Sequence, residues 1–146
     1  MKIVVAADHG GVDLKKEIMS YLESRGHTVA NLGVDDTTSV DYPDIAQRAC
    51  SHFLAGHFDF GILVCGTGIG ISIAANKIKG IRCAIVHDLY TAEMAKSHNH
   101  AHFIAFGGRI SYGTPVSLMI DKFIETRESE GRHQNRIRKI SELEGR

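Results

Sequence analysis

Short apolar, β-rich runs alternate with segments of helical spacing along the whole chain, and few folds accommodate that alternation. Lys2 to Ala6 is continuous and β-branched, as a strand covered on both faces requires. Behind it, Leu14, Ile18, Met19 and Leu22 recur at helical spacing until Gly26 stops the helix. His27 to Leu32 reads as a second strand, after which Pro43 opens a helix carrying Ile45, Ala46, Ala49 and Phe53 toward Gly56. Phe60 to Val64 is the most apolar strand, and a short helix over residues 69–77 follows it, ended by Gly80. Arg82 to Val86 supplies strand four, and Asp88 N-caps a helix that runs to Ser97. Phe103 to Phe106 supplies strand five. Thr114 as N-cap with Pro115 at the first helical position predicts a helix to about Glu128. A charged tail from Gly131 is expected to be helical in part.

Strands joined through helices imply right-handed crossovers and one parallel sheet with helices on both faces. The expected architecture is therefore α/β: a three-layer αβα sandwich, Rossmann- or flavodoxin-like, around a five-stranded parallel sheet. The flavodoxin-like order 2-1-3-4-5 is expected, with the topological switch point between strands one and three. A single domain over residues 1–146 is long enough to bury a core without disulfides or metals. Cys50, Cys65 and Cys83 form no C-x-x-C pair, and an odd count leaves one unpaired in any disulfide scheme. With an opening apolar run that reads as a strand rather than a signal peptide, this points to a reducing, cytoplasmic setting. Zero formal net charge argues against a dedicated nucleic-acid or anionic-membrane surface, and no apolar stretch approaches the ~18 residues of a membrane span.

In open parallel sheets ligands bind beyond the carboxyl ends of the strands, at the switch point. Two glycine-bearing loops would meet there: Ala7 to Gly11 after strand one, and Cys65 to Gly70 after strand three. Gly66, Gly68 and Gly70 let the second loop fold tightly and expose its N–H groups, with Thr67 and Ile69 between them. Such a loop can hold a phosphate or a developing oxyanion, yet it matches neither the P-loop nor the dinucleotide fingerprint. Cys65 precedes a helix N-terminus, where the thiolate is favoured as a nucleophile or general base. Cys50 and Cys83 read instead as small buried hydrophobes. Asp8 and His9 could form an acid–base pair or a hydroxyl clamp, and Asp8 could equally cap the next helix. His98, His100 and His102 alternate, which near a strand start would put them on one face. Without carboxylate or cysteine spacing nearby, an acid–base role for one of them is favoured over a metal site. Arg132 and Arg136 would share a helix face and could grip a phosphate or simply be solvated, and Arg109 follows strand five at the carboxyl edge.

Taken together, A-A-D-H-G-G (6–11), D-Y-P-D (41–44), C-G-T-G-I-G-I-S-I-A-A-N-K (65–77), G-I-R (80–82), S-H-N (97–99), G-G-R (107–109) and G-R-H-Q-N-R (131–136) span nearly the whole chain. They resemble one family, the type B ribose-5-phosphate isomerases with the related galactose-6-phosphate isomerase subunits. The resemblance implies an aldose–ketose isomerase that interconverts ribose 5-phosphate and ribulose 5-phosphate through a cis-enediolate, without cofactor or metal. By matching position, Cys65 would be the catalytic base and Thr67 would help shuttle protons. Gly66, Thr67, Gly68, Ile69 and Gly70 would form the anion hole. His98 would promote ring opening with Asp8 assisting, His9, Arg109, Arg132 and Arg136 would contact the substrate, chiefly its phosphate, and Asn99 would bind sugar hydroxyls. Where the family reads His-Asn-Asp, this chain has His98-Asn99-His100, and the change beside two binding residues bears on sugar preference.

Topology adds an expectation of its own. The helix after strand four runs away from the carboxyl edge, so His98 and Asn99 end far from their own Cys65. A two-fold homodimer would let them, and the basic tail 131–146, complete the partner's site. The competing readings are an isomerase of a hexose 6-phosphate such as allose or galactose 6-phosphate, a non-catalytic sugar-phosphate-binding module, and a cysteine-nucleophile hydrolase.

Overall fold

The computed structural model describes residues 1–145. Strands β1 (Lys2–Ala7), β2 (Thr28–Gly33), β3 (Phe60–Cys65), β4 (Cys83–Ile85) and β5 (Phe103–Gly107) form one sheet in which every pairing is parallel. Helices α1 (Val12–Ser24), α2 (Tyr42–Ala55), α3 (Ile69–Ala75), α4 (Leu89–Ser97) and α5 (Val116–Glu125) alternate with them, and α6 (Arg132–Leu143) follows. The α/β expectation is met, and each strand and helix lies within a few residues of its predicted span.

Strand alternation explains the three layers. Ile3, Val5 and Ala7 of β1, with Ile62 and Val64 of β3 and Ile104 and Phe106 of β5, face α1, α4 and α5. Val4, Ala6, Leu63, Cys65, Phe103 and Ala105 point the other way, against α2 and α3. Both faces are covered, which is why β1, β3 and β5 carry no polar residue between Ile3 and Ala7, Phe60 and Val64, or Phe103 and Phe106.

The strand order is β2-β1-β3-β5-β4, not 2-1-3-4-5. The short strand β4, half exposed along its length, takes the edge, while the fully buried β5 pairs with β3. A strand with two packed faces and two neighbours must be apolar throughout, and Phe103 to Phe106 meets that condition better than the Arg-flanked Cys83–Ile85. The switch point between β1 and β3 survives, but the turn beside Cys65 is now the one after β5.

Two helix ends also differ from expectation. The N-cap of α5 is Pro115, whose ψ of 135° is extended rather than helical, so the helix starts one residue later and Thr114 lies outside it. The same helix stops at Glu125: Thr126 turns extended and its hydroxyl donates back to the Lys122 carbonyl at 2.6 Å. The Asp88 cap of α4 is present, its carboxylate accepting the Thr91 N–H at 2.7 Å while the Thr91 hydroxyl accepts from the Asp88 N–H.

Lys15 is fully buried, although nothing in its sequence context marks it as such. Its ammonium donates to Asn31 Oδ1 at 2.8 Å, to the Val34 carbonyl at 2.6 Å and to Asp35 Oδ1 at 2.6 Å. A buried charge persists only when its donors are satisfied, and here all three are used to tie α1 to β2 and the loop after it. Hydrogen bonds from Asn31 and then Lys15 hold the Asp35 carboxyl below the usual carboxylate range. The folded state therefore binds that proton more weakly than the unfolded chain. The resulting stability is present above about pH 4 and is withdrawn as pH falls through the lowered value. Lys15→Met is expected to lower the unfolding free energy by about 2 kcal/mol or more, since three hydrogen bonds from a charged donor are lost and the Val34 carbonyl is stranded. It should also flatten the loss of stability below pH 4. Urea midpoints at pH 7 and pH 3.5 test both effects, and a variant indistinguishable from the parent at both would refute this account of Lys15.

Candidate active site

The turns after β1, β3 and β5 meet backbone to backbone at the carboxyl edge. A Cβ on Gly10 would stand 2.9 Å from the Gly66 nitrogen, and one on Gly108 would stand 2.5 Å from the Gly10 carbonyl oxygen. Side chains at these positions would force the three turns apart. Hydrogen bonds lock the arrangement: Gly108 N–H to the Cys65 carbonyl at 2.7 Å, Arg109 N–H to the Gly66 carbonyl at 3.0 Å, and Asp8 N–H to the Val64 carbonyl at 3.1 Å.

Cys65 ends β3 at 4% exposure. Its Sγ accepts the Gly68 N–H at 3.1 Å, so a backbone donor stands where negative charge on sulfur would be stabilised. Gly68 has φ +79° and its back lies against the β5 turn, 2.9 Å from Phe106 C for an added Cβ, so this position needs glycine twice over. That left-handed residue swings the chain from β3 into α3 and turns the Ile69 N–H toward Thr67 Oγ1, 3.3 Å away. Thr67 and Ile69 are exposed, and the Tyr42 ring lies over Gly70.

Asp8 is buried, and its Oδ1 accepts the Gly10 N–H at 2.8 Å. It does not cap α1, whose N-cap is Gly11 without a side-chain bond, so the capping alternative falls away. His9 Nδ1 accepts the Val40 N–H at 3.3 Å, which leaves its proton on Nε2 in the neutral ring. Arg109 is exposed, its guanidinium beside Gly66. The carboxyl edge thus gathers Asp8, His9, Gly66 to Gly70, Cys65 and Arg109. Tyr112 belongs with them: its hydroxyl accepts the Gly107 N–H at 2.8 Å, and burial holds its phenol above the usual value.

A second group stands at the amino edge. His98 is the C-cap of α4, and its ring stacks on His133 at 3.9 Å between centroids. His133 is the buried side chain of α6, and Arg132 Nε donates to its Nε2 at 3.4 Å. Burial, then the neighbouring charges of His98, Arg132 and Arg136, push the His133 imidazole below the usual histidine value. Arg132 and Arg136 lie one turn apart at the start of α6, both exposed. Asn99 is exposed, and its carbonyl accepts from Arg82 Nε at 2.9 Å. Since Arg82 immediately precedes β4, these contacts fix the group at the amino ends of the strands. β3 alone separates the two edges by five residue steps, roughly 17 Å. Cys65 and His98 of one chain are therefore not brought together.

The three alternating histidines do not share a face. His98 closes a helix, His100 adopts φ +44°, and only after His102 does β5 begin, so no strand period links them. His102 is pushed down to about 4 by burial and then by Arg82, whose backbone N–H it accepts at 3.1 Å. Among the described residues no group of three or more His, Cys, Asp or Glu side chains could hold a metal. No described helix is long and apolar enough to cross a membrane. Sequence reasoning missed His133 as a partner of His98. The stretch G-R-H-Q-N-R contains it, but its role emerges only once α6 folds back on α4.

Comparison with known proteins then gives this geometry a family. The Ribose/Galactose Isomerase model matches residues 3–140. Ribose-5-phosphate isomerase B of Escherichia coli is 38% identical over 145 residues, covering 99% of this chain and 97% of that one. A galactose-6-phosphate isomerase subunit of Clostridium acetobutylicum is 41% identical over 144 residues, covering 98% and 83%. The structure of Clostridium thermocellum ribose-5-phosphate isomerase B superposes with a TM-score of 0.94 at 42% identity, covering 99% and 98%. With sequence and fold matched along nearly its whole length, this chain belongs to the ribose/galactose isomerase family and is a sugar-phosphate isomerase.

Proposed function

We propose that the chain interconverts ribose 5-phosphate and ribulose 5-phosphate through a cis-enediolate, with Cys65 as the base. The observation that carries this reading is the Cys65 sulfur, nine-tenths buried and more, accepting a backbone N–H at 3.1 Å inside the glycine turn at the switch point. Isomerisation moves a proton between C2 and C1. The Cys65 thiolate takes the C2 proton of the open aldose, the electron pair forms the C1–C2 double bond, and the carbonyl oxygen becomes an oxyanion. The same thiol then returns the proton to C1. Thr67 passes the hydroxyl proton between O2 and O1, while amides of residues 66–70 face the developing charge. Each such donor lowers the barrier by about 3–4 kcal/mol. Hydrogen moves here as a proton, so the chemistry itself calls for no redox cofactor.

Ring opening needs a proton donor and acceptor, the role we assign to His98 with Asp8. His9, Arg109, Arg132 and Arg136 hold the phosphate, and Asn99 holds sugar hydroxyls. Because the two groups of residues stand at opposite edges of one chain, the complete site is assigned to a two-fold homodimer, with the tail 131–146 reaching the partner. A cytoplasmic setting, consistent with free Cys50, Cys65 and Cys83, belongs to the same proposal.

A hexose 6-phosphate is the second reading. It is favoured by the likeness to a galactose-6-phosphate isomerase subunit and by His100 beside the Asn99 that would read the sugar.

Cys65→Ala is expected to keep the fold and lose at least about a hundredfold in kcat for ribose 5-phosphate, the contribution of a positioned base. Equal turnover by parent and variant would remove Cys65 from the mechanism, and turnover of hexose 6-phosphates alone would move the substrate to the second reading. The shared site has its own test. Cys65→Ala and His98→Ala homodimers, each inactive, are mixed under conditions that exchange subunits. Random pairing leaves one intact site in half of the dimers, so activity should rise to about a quarter of the parent's. No recovery despite demonstrated exchange would place the whole site in one chain.

A further inference from the structure

The segment between α5 and α6, residues 126–131, carries Arg132 and His133 to His98, yet little of it is packed. Of all the α6 side chains only His133 is buried. Where α6 starts is therefore set by what holds the connector: beyond the bond of Thr126 back to α5, those holds come from the end of α4. Ser129 N–H donates to the Ser97 carbonyl at 2.9 Å. His100 Nε2 stands 3.0 Å from the Ser129 carbonyl oxygen, which can only accept, so the ring nitrogen donates. His100 Nδ1 lies 3.4 Å from Glu128 Oε2, and Lys96 Nζ bonds the other oxygen of the same carboxylate at 2.8 Å.

The backbone of His100 is unusual in the same place. It is the only non-glycine residue at positive φ among the described residues, at +44°. Glycine or asparagine would take that conformation at less cost. Arg82 NH2 donates to the His100 carbonyl at 2.8 Å, which holds the turn from the other side. Strain kept at a position whose side chain spans two elements indicates that the side chain is needed.

We infer that His100 is a positioning residue: with Glu128 and Lys96 it clasps the α5–α6 connector, so that His133 stands against His98 with Arg132 bonded to it, ready for the substrate's phosphate. The inference deepens the proposed function, since it rests on the phosphate role given there to Arg132 and Arg136. His100 touches no reacting atom; it acts through the connector.

The test uses the full-length protein and three variants. His100→Asn keeps the backbone conformation available but is too short to reach Ser129. His100→Gln restores a donor of suitable length. Glu128→Gln, on an exposed residue, guards against misfolding of the others. His100→Asn should raise KM for ribose 5-phosphate about five- to tenfold, as one or two hydrogen bonds are lost, with kcat changed less than twofold. Glu128→Gln should move KM in the same direction, and His100→Gln should recover most of the loss. Inorganic phosphate should bind the Asn variant more weakly by calorimetry, and amides of residues 127–136 should exchange faster. An unchanged KM, a fall in kcat alone, or a Gln variant no better than Asn would overturn the inference. Were the parent to turn over no ribose 5-phosphate, the proposed function would fail separately. Phosphate affinity and amide exchange would then decide the clasp, and no change in either would refute it.

Discussion

Three backbone turns in direct contact at the carboxyl edge of the sheet are the constraint on which the rest of the molecule depends. The Gly10, Gly66 and Gly108 backbones approach so closely that a methyl group on Gly10 or Gly108 would collide with a neighbouring turn. That approach lets Gly108 and Arg109 bond the Cys65 and Gly66 carbonyls, which in turn fixes the direction of the Cys65 side chain and of the amides beyond it. Because the contact is made by peptide groups, each turn anchored by a strand buried on two faces, it is more rigid than a site built from side chains.

The strand order follows from the same constraint. β5 must neighbour β3 for its turn to reach Cys65, and it is the strand apolar enough to be buried there. β4 then lies at the edge, and α4, which leaves it, ends at the opposite side of the sheet. That topological choice assembles the Cys65 group, while the run of α4 back across the sheet carries His98 away from it. The amino-edge group is made by different physics: a stacked His98–His133 pair, Arg132 and Arg136 exposed one turn apart at the start of α6, and a connector held from the end of α4. It depends on side-chain contacts and long loops, so it tolerates change more readily than the glycine turns do. His100 is such a change, taking a turn that suits a smaller residue and using its ring to reach Ser129 and Glu128.

Much of the carboxyl-edge group was legible in the chain because local chemistry specifies it. Alternating glycines after a β-branched run can only be a tight strand-to-helix turn, and Cys65 and Thr67 lie inside it. Cys50 was equally legible as a buried hydrophobe: it packs in the α2–α3 layer, and burial raises its thiol to about 12. Lys15, His133 and the separate orientations of His98, His100 and His102 were not legible. Lys15 is buried only because Asn31, Val34 and Asp35 converge on it from another element. The histidines diverge because a helix end and a left-handed turn break the period that their spacing suggests. Thr114 failed as a cap for a local reason: Pro115 is itself extended, at ψ 135°, and takes the cap position.

By itself the sequence determined the layer architecture and the residues of the Cys65 turn, since hydrophobic period and glycine placement act over a few neighbouring residues. Tertiary structure alone decided that β5 rather than β4 lies beside β3, that Lys15 is buried, and that His133 stacks on His98. Those outcomes rest on which surfaces compete for the same buried space across the whole chain, and no local pattern of residues records the result of that competition.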